Sequence, residues 1–409
     1  MIRSKIKTLL LALIAVSLAA SLMIYPKESF NASLRGLHIW WDVVFPSLLP
    51  FFIVSELLIG FGVVSFLGML LEPFMRPFFR VPGIGGFVWA MGLASGYPAG
   101  AKLTARLRKE KKLTRLEAER LVSFTNSSNP LFLFGAISVG FFQNPSLGVI
   151  FALSHYLGNA LVGLCMRFHG YREEKLMEKE KKRQKLSFKE AFFALHEERL
   201  KDGRPIGKLL GDAVQSSVQT LLMVGGFIII FSVLNQLLYL LHITPYVAKF
   251  FSALFSMIGL SPEFSLPFVA GLFEITLGSQ MTSQVENSLL FEKVLLTCFI
   301  LAFHGFSVQA QVASILAETD IRFQPYFFAR LLHGFFSVAI CWLLWTPLYD
   351  NNGGNKQTTV PVFWQNDDLQ FISDIWQHFL TFSPIITLTF IISYIFIITK
   401  KALFSKEEA

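Results

Sequence analysis

The sequence predicts an all-α polytopic membrane protein built from inverted repeats, with about eight transmembrane helices and two re-entrant helical hairpins. The 409 residues are 53% hydrophobic and only 16% charged, whereas soluble domains carry about 25% charged residues. The charged residues concentrate in residues 102–120 and 167–208, which hold 11 and 21 of them. The rest of the chain contains apolar runs of about 20 residues, the length that crosses a bilayer.

The apolar runs give the order of the elements. Two shorter runs, 84–101 and 264–281, are interrupted by Gly, Pro and polar residues. Backbone that is not helical at membrane depth must lie against protein or a water-filled cavity, so we interpret both as re-entrant hairpins. The short run 246–260 predicts an interfacial helix. The predicted spans are residues 8–25, 43–70, 121–142, 147–168, 212–241, 293–316, 325–348 and 381–399. A basic start makes a cleaved signal peptide the alternative for the first of them, although its length favours a retained span.

The distribution of Lys and Arg predicts that both termini are cytoplasmic. Basic residues are frequent at the predicted inner ends of the spans, and the predicted outer side receives few of them, as the positive-inside rule requires. The outer residues are Lys27, Arg35, Lys249, Lys293 and Lys356. The net charge of +8 therefore reflects membrane topology, and we expect no nucleic-acid partner. The three cysteines lie in apolar runs and have neither metal-ligand nor disulfide spacing.

The two halves of the chain repeat each other. Gly92 aligns with Gly271, and the run 124–128 aligns with 303–307 at the same offset. Each half reads as span, hairpin, interrupted span and span; three crossings are an odd number, so the halves are inverted. Such repeats with broken helices are typical of secondary transporters. The predicted organisation is a transmembrane helix and outer loop (1–42), a first repeat (43–168), a charged cytoplasmic linker (169–207), a second repeat (208–348), and an outer loop with a last transmembrane helix (349–409).

Ionisable residues inside the spans are the first candidates for function, because such residues are costly there. Glu274 lies at the broken tip of the second hairpin. Arg330 lies in a late span, and its planar guanidinium suits bidentate recognition of a carboxylate. The alternative for Arg330 is a structural ion pair with Glu274 or Glu56. Both interpretations hold together if a substrate displaces the carboxylate partner.

Polar runs in the two interrupted spans are the second set of candidates. Asn, Ser and Pro weaken a helix at residues 126–130, and residues 304–311 have the same character, so each run either lines a substrate site or forms a kink. His304 either carries a coupling proton or is a neutral hydrogen-bonding residue. The predicted substrate-binding residues are Ser95, Gly96, Tyr97, Pro98, Asn126, Ser127, Asn129, Glu274, Thr276, His304, Ser307, Gln309, Gln311 and Arg330. We find no phosphate loop, nucleophile elbow or metal motif, and we expect neither an enzyme nor a cofactor beyond a coupling ion, H⁺ or Na⁺.

Three motifs, FPSLLPF at 45–51, GYPAGAK at 96–102 and NSSNP at 126–130, carry a resemblance to a known family. Over about residues 8–348 the chain resembles the YlbJ (SpoVV) family of sporulation integral membrane proteins of spore-forming Firmicutes. The order of its elements resembles concentrative nucleoside transporters and the related nucleoside-recognition gate domains. The resemblance implies a sporulation transporter that moves dipicolinic acid, a small anionic aromatic dicarboxylate, from the mother-cell cytoplasm across the outer forespore membrane, and it would fit a homo-oligomer in the lipid bilayer.

Two other functions stay open at the level of sequence. The first is transport of a nucleoside or a related small molecule. Nucleoside transporters of this fold carry a Gln-Thr-Glu-type polar tip in the first hairpin, whereas this chain has Ser95-Gly96-Tyr97-Pro98 and lacks the carboxylate. The second is a membrane scaffold without transport activity, which recruits proteins of spore cortex assembly through the linker 167–208.

Overall fold

A computed structural model describes residues 2–171, 173, 188–286 and 288–350. Every regular element in these ranges is a helix, which confirms the all-α polytopic class. Four helical stretches, Leu147–Met166, Ile206–Leu240, Leu290–Leu316 and Phe323–Asp350, are long and apolar enough to cross a membrane. Among the described residues, two bent helix pairs near the N-terminus would raise that number to six if each pair is counted as one span. The predicted last span, 381–399, lies outside the described residues.

The first half begins differently from the prediction. Helix α1 (Ile2–Ile24) is followed by a continuous helical stretch made of α2 (Pro26–His38), a π-helical segment (Ile39–Val44) and α3 (Phe45–Gly60). We call this stretch the 26–60 helix. The chain bends by 102° between Thr8–Ile24 and Pro26–Asp42. Residues 26–42, which the sequence analysis assigned to an outer loop, are therefore helical.

The predicted span 43–70 is not one straight helix, because the chain bends after Gly60. Gly62 has a φ of 78°, in the left-handed region that favours glycine, and the chain bends by 83° there. The following residues form a separate amphipathic helix, α4 (Val63–Phe79), with Met75 and Phe79 buried. The apolar run continues across this bend, so hydropathy alone does not mark it.

The remaining helices of the first half form a hairpin, an interrupted span and a span. The hairpin consists of α5 (Ile84–Ser95) and α6 (Ala99–Lys109). The interrupted span consists of α7 (Arg115–Thr125) and, after the four non-helical residues 126–129, a π helix (Leu131–Phe141). Thr114 begins α7 with a reciprocal capping box to Glu117. The last helix of this half is α8 (Leu147–Met166).

The second half has the same order of elements after a linker helix, α9 (Phe188–Asp202), which packs against α4. Helix α10 (Ile206–Leu240) corresponds to the 26–60 helix, and α11 (Ile243–Met257) corresponds to α4 and to the predicted interfacial helix. The second hairpin consists of α12 (Ser265–Phe273) and α13 (Ile275–Ser283). The interrupted span consists of α14 (Leu290–Phe303) and α15 (Gly305–Leu316), and the final helix is α16 (Phe323–Trp345).

Equivalent elements of the two halves pack against each other. The 26–60 helix packs along α10, and α8 packs along α16. Contacts between non-equivalent elements are reciprocal: α7 touches α16 as α14 touches α8, and α6 touches α15 as α13 touches the 131–141 π helix. Reciprocal contacts of this kind indicate that an approximate two-fold axis relates the two halves. The two hairpin tips and the two helix breaks consequently meet in the middle of the bundle.

Candidate functional site

A cavity of about 600 Å³ lies where the hairpin tips and the helix breaks meet. One wall is formed by the 26–60 helix and α10, through residues such as Pro46 and Val224. The structure brings seven of the predicted site residues into its lining. These are Gly96, Tyr97, Asn129, Glu274, Thr276, Ser307 and Gln311.

The first hairpin tip is fastened to the break of the first interrupted span. The Tyr97 hydroxyl is hydrogen-bonded to the Ser128 hydroxyl. Asn129 Nδ2 donates to the Ser95 carbonyl at 3.3 Å, and Asn129 Oδ1 accepts from the Phe132 backbone N–H at 2.7 Å. Asn129 thus joins the tip to the first turn of the π helix while it faces the cavity.

The contact between the first hairpin and α7 requires glycine. A Cβ atom on Gly92 would lie 1.9 Å from the Thr125 carbonyl oxygen, and one on Gly100 would lie 2.2 Å from it. Ser127 Oγ donates to the Gly92 carbonyl at 3.4 Å. The two helices of the hairpin therefore approach the end of α7 backbone to backbone.

Glu274 forms the second hairpin tip. Its backbone is extended, and its Oε2 accepts from the Leu277 N–H at 2.7 Å, which caps the N-terminus of α13. The side chain is buried, with a relative exposure of 6%. Among the described residues Glu274 has no ion-pair partner, whereas Glu56 pairs with Lys102 and Arg106 elsewhere. The predicted ion pair of Arg330 with either glutamate is not formed.

Arg330 does not line the cavity, contrary to its predicted role as a direct ligand of the substrate. It is fully buried behind the first helix break. Its guanidinium donates to the carbonyls of Ser123 and Asn126 and to Asn159 Oδ1, at 3.3 Å for Asn126 and 3.1 Å for Asn159. The physical reason is that the carbonyl end of α7 has unpaired acceptors that attract a cation.

Two histidines contact this guanidinium, and a third, His155, packs against their rings. Arg330 Nη1 lies 3.0 Å from His333 Nδ1 and 3.3 Å from His304 Nε2. Since arginine has no acceptor, both ring nitrogens must accept. The remaining ring nitrogens then carry the protons, and they face the His155 carbonyl at 2.7 Å and the Tyr326 hydroxyl at 3.1 Å. His155 Nε2 accepts from the Ser128 N–H at 3.0 Å. All three rings therefore fit their neutral form, which favours the hydrogen-bonding interpretation of His304.

The other predicted residues support the lining instead of forming it. Asn126 Nδ2 donates to the Tyr326 hydroxyl at 3.0 Å, and Gln309 Nε2 donates to the Phe303 carbonyl at 3.0 Å. Ser95, Pro98, Ser127 and His304 are buried next to the tips and breaks, outside the cavity lining.

Sequence reasoning missed several residues that line the cavity. Asp42 belongs to the π-helical segment of the 26–60 helix. It directly precedes the predicted span 43–70 and was assigned to the outer loop, so its acidic side chain gave no signal of an intramembrane charge. Ser128 was not singled out, but it belongs to the polar run 126–130, which was already a candidate for lining the site. Phe132 and Ile228 carry no polar signal, and only the fold brings them to the site.

The cavity lining combines acidic side chains with the positive ends of helices. Asp42 and Glu274 are its carboxylic acids, and no Lys, Arg or His lines it among the residues that the structure describes. Four half-helices nevertheless begin at the cavity: α6, the 131–141 π helix, α13 and α15. The N-terminus of a helix carries a partial positive charge and binds anions. The cavity therefore combines four positive helix ends with two carboxylates.

Comparisons with known proteins agree with this architecture. A family model described as "Gate: Nucleoside recognition" matches residues 41–144 and 221–320, which contain both hairpins and both interrupted spans. The chain is 55% identical over 394 residues to the sporulation integral membrane protein YlbJ of Bacillus subtilis (strain 168), and the match covers 96% of each chain. No solved structure matches the chain.

Proposed function

Because the chain belongs to the family of the sporulation integral membrane protein YlbJ, we propose that it is a secondary-type transporter of dipicolinic acid. In this proposal the substrate, a small anionic aromatic dicarboxylate, binds in the central cavity and moves from the mother-cell cytoplasm across the outer forespore membrane. The observation that supports an anionic substrate is the convergence of four half-helix N-termini on one cavity. Broken helices in transporters direct such ends at anionic substrate groups.

The lining also suits a flat aromatic molecule. Tyr97 and Phe132 offer aromatic faces, while Asn129, Thr276 and Gln311 offer hydrogen-bond donors. A small polar ligand needs this combination of apolar contact area and a few directed polar groups. A ring with two carboxylates would use both kinds of contact at once.

In this proposal the Glu274 carboxylate binds the N-terminus of α13 when no substrate is present. Its carboxylate already accepts from the first turn of α13. A substrate carboxylate that binds the same helix end has to displace it or repel it, because two negative charges in a poorly solvated cavity cannot lie close together at low cost. Binding is therefore expected to move the second hairpin tip, and this movement would couple occupancy to the opening of the site.

A nucleoside is the second candidate substrate, because the matching family model is described by nucleoside recognition. A carboxylate such as Glu274 would accept hydrogen bonds from ribose hydroxyls. The two substrates make opposite demands on Glu274, which offers a direct way to distinguish them.

The proposal is tested by binding and uptake measurements on the full chain. Purified protein is titrated with dipicolinate and with uridine, and proteoliposomes are assayed for uptake of each. Gln311→Leu removes a polar group of the lining, and Gln236→Leu is the matched control, since Gln236 bonds Arg35 away from the cavity. We expect dipicolinate to bind, Gln311→Leu to weaken binding by about tenfold, as for a lost hydrogen bond to a charged group, and Gln236→Leu to have no effect. Binding of uridine without dipicolinate would refute the proposed substrate.

A further inference from the structure

We propose that the guanidinium of Arg330 serves as a tethered cation, which takes the place of a free coupling ion in the transport cycle. In transporters with broken helices, the carbonyl ends of half-helices and unwound backbone bind the coupling cation. In this chain a side chain of the protein itself occupies such an end. The inference rests on the proposed function, since only a transporter needs a coupling ion, but the contacts of Arg330 do not depend on it.

The end of α7 has the chemistry of a cation site. The last four carbonyls of a helix have no partner within the helix, and they carry the negative end of its dipole. Helix α7 ends at Thr125, inside the interrupted span. Arg330 donates to the Ser123 and Asn126 carbonyls, and Asn159 Nδ2 donates to the Phe124 carbonyl at 2.7 Å. These carbonyl oxygens are the kind of ligand that a bare alkali cation would seek.

The charge of Arg330 is balanced by dipoles. Its hydrogen-bond partners are backbone carbonyls, the Asn159 side-chain oxygen and the lone pairs of His304 and His333. No Asp or Glu is an ion-pair partner of Arg330 among the described residues. A buried charge is costly unless it is compensated, so the negative end of α7 has to supply the compensation. The same end stays negative, and open to a free cation, when the guanidinium is removed.

The equivalent helix end in the second half of the chain has a different hydrogen-bond partner. Helix α14 ends at Phe303, whose carbonyl accepts from the neutral amide of Gln309 at 3.0 Å. The carbonyl ends at both helix breaks are thus occupied by side chains, and one of the two side chains is charged. At these two equivalent helix ends, Arg330 breaks the approximate symmetry with a positive charge.

A tethered cation suits the proposed direction of transport. An exporter that carried Na⁺ outward with its substrate would work against an inward sodium gradient. A guanidinium fixed to the chain offsets part of the substrate's negative charge and is not released. The transporter would then be driven by the substrate gradient and the membrane potential.

The first experiment replaces the salt around the wild-type protein. Dipicolinate uptake into proteoliposomes and the thermal midpoint of the purified protein are measured in NaCl and in choline chloride at equal ionic strength. We expect both to be nearly the same, with uptake changing by less than about twofold, because no coupling free energy links Na⁺ to the substrate. Uptake that requires Na⁺, or a thermal midpoint that rises with Na⁺, would overturn the proposal.

The second experiment removes the guanidinium of Arg330 by substitution. In Arg330→Ala, added guanidinium chloride at low millimolar concentration should raise the thermal midpoint, as a ligand of the native state does, and restore part of the uptake. Arg330→Met fills the space without a charge and should not respond. The matched control is Arg35→Ala, which removes an exposed guanidinium bonded to Gln236.

The outcomes separate this inference from the proposed function. If the wild-type protein transports no dipicolinate in either salt, the proposed function fails, and guanidinium rescue of the thermal midpoint still tests the tethered cation. If Arg330→Ala does not fold, the salt replacement on the wild-type protein decides whether transport requires Na⁺ and so tests the inference. Equal midpoints of Arg330→Ala with and without guanidinium would refute the assignment of a cation site.

Discussion

Replacing Glu274 by Gln should make the chain bind dipicolinate more tightly. The amide keeps the shape of the side chain, and its oxygen can still accept from the Leu277 N–H that caps α13. The substitution therefore removes a negative charge from the cavity and leaves the hairpin tip in place. The assay is a titration of purified wild-type and Glu274→Gln protein with dipicolinate at several pH values from about 7 to about 9, where the substrate is fully ionised, so that the comparison includes a pH at which the buried Glu274 carboxyl group is ionised.

The size of the effect follows from the dimensions of the cavity. A cavity of about 600 Å³ keeps any small ligand close to its wall. Two unit charges about 5 Å apart repel each other by about 1 kcal/mol in water and by about 3 kcal/mol at an effective dielectric constant of about 20. Each factor of ten in affinity corresponds to about 1.4 kcal/mol, so we expect dissociation constants lower by about 5-fold to 150-fold.

The opposite result would refute the reasoning. Weaker binding of dipicolinate to Glu274→Gln would mean that the carboxylate contacts the ligand as an acceptor. Weaker binding of uridine combined with no binding of dipicolinate would favour the nucleoside alternative. Asp42→Asn is the matched control, because its carboxylate also lines the cavity but its side chain is 61% exposed. We expect a smaller effect there, since solvent screens the charge.

Two further predictions concern stability. Gly92→Ala should lower the thermal midpoint of the purified protein by the equivalent of at least about 1–3 kcal/mol, because the added methyl group collides with the Thr125 carbonyl. In Gly226→Ala a Cβ atom has nothing within 4 Å, and alanine has the higher helix propensity, so the thermal midpoint should not fall. Equal midpoints for the two variants would contradict the close approach. Arg108, whose guanidinium donates to both carboxylate oxygens of Asp320 at 2.8 and 2.7 Å, holds the pKa of that carboxyl group below its usual value. A lowered pKa means that the stabilisation is present above the unfolded-state pKa and is lost as the pH falls through the folded-state pKa. Asp320→Asn should therefore lower the free energy of unfolding by about 0.5 kcal/mol near pH 7 and by progressively less below about pH 4. A loss of stability that does not change with pH would show that the ion pair is not its source.

The sequence was most informative where the backbone is broken. Gly and Pro in the run 92–100, and polar residues at 126–130, weaken a membrane helix by known local chemistry, and the described hairpin tip and helix break lie there. The bend at Gly62 escaped prediction because apolar residues continue on both sides of it. Its signal is a single glycine with positive φ, and a glycine in an apolar run has no unique meaning.

The role of Arg330 shows a second limit of sequence reasoning. A lone arginine in a span predicts a functional charge, but it does not reveal which partner the charge meets. A carboxylate on another helix and a helix end on a third are equally compatible with the sequence. The outcome depends on the approach of α16 to the end of α7, which the pairing of the two halves produces.

The reciprocal packing of the two halves has an energetic consequence for alternating access. If the halves exchange their conformations, the contact of α6 with α15 becomes that of α13 with the 131–141 π helix, and the reverse. The side of α6 is reinforced by ion pairs of Arg108 with Asp320 and Lys109 with Glu318, which are exposed or partly exposed. Such pairs contribute at most about 1 kcal/mol each. These two ion pairs should therefore bias the equilibrium between the two conformations by only a few times the thermal energy, which occupancy of the cavity can offset.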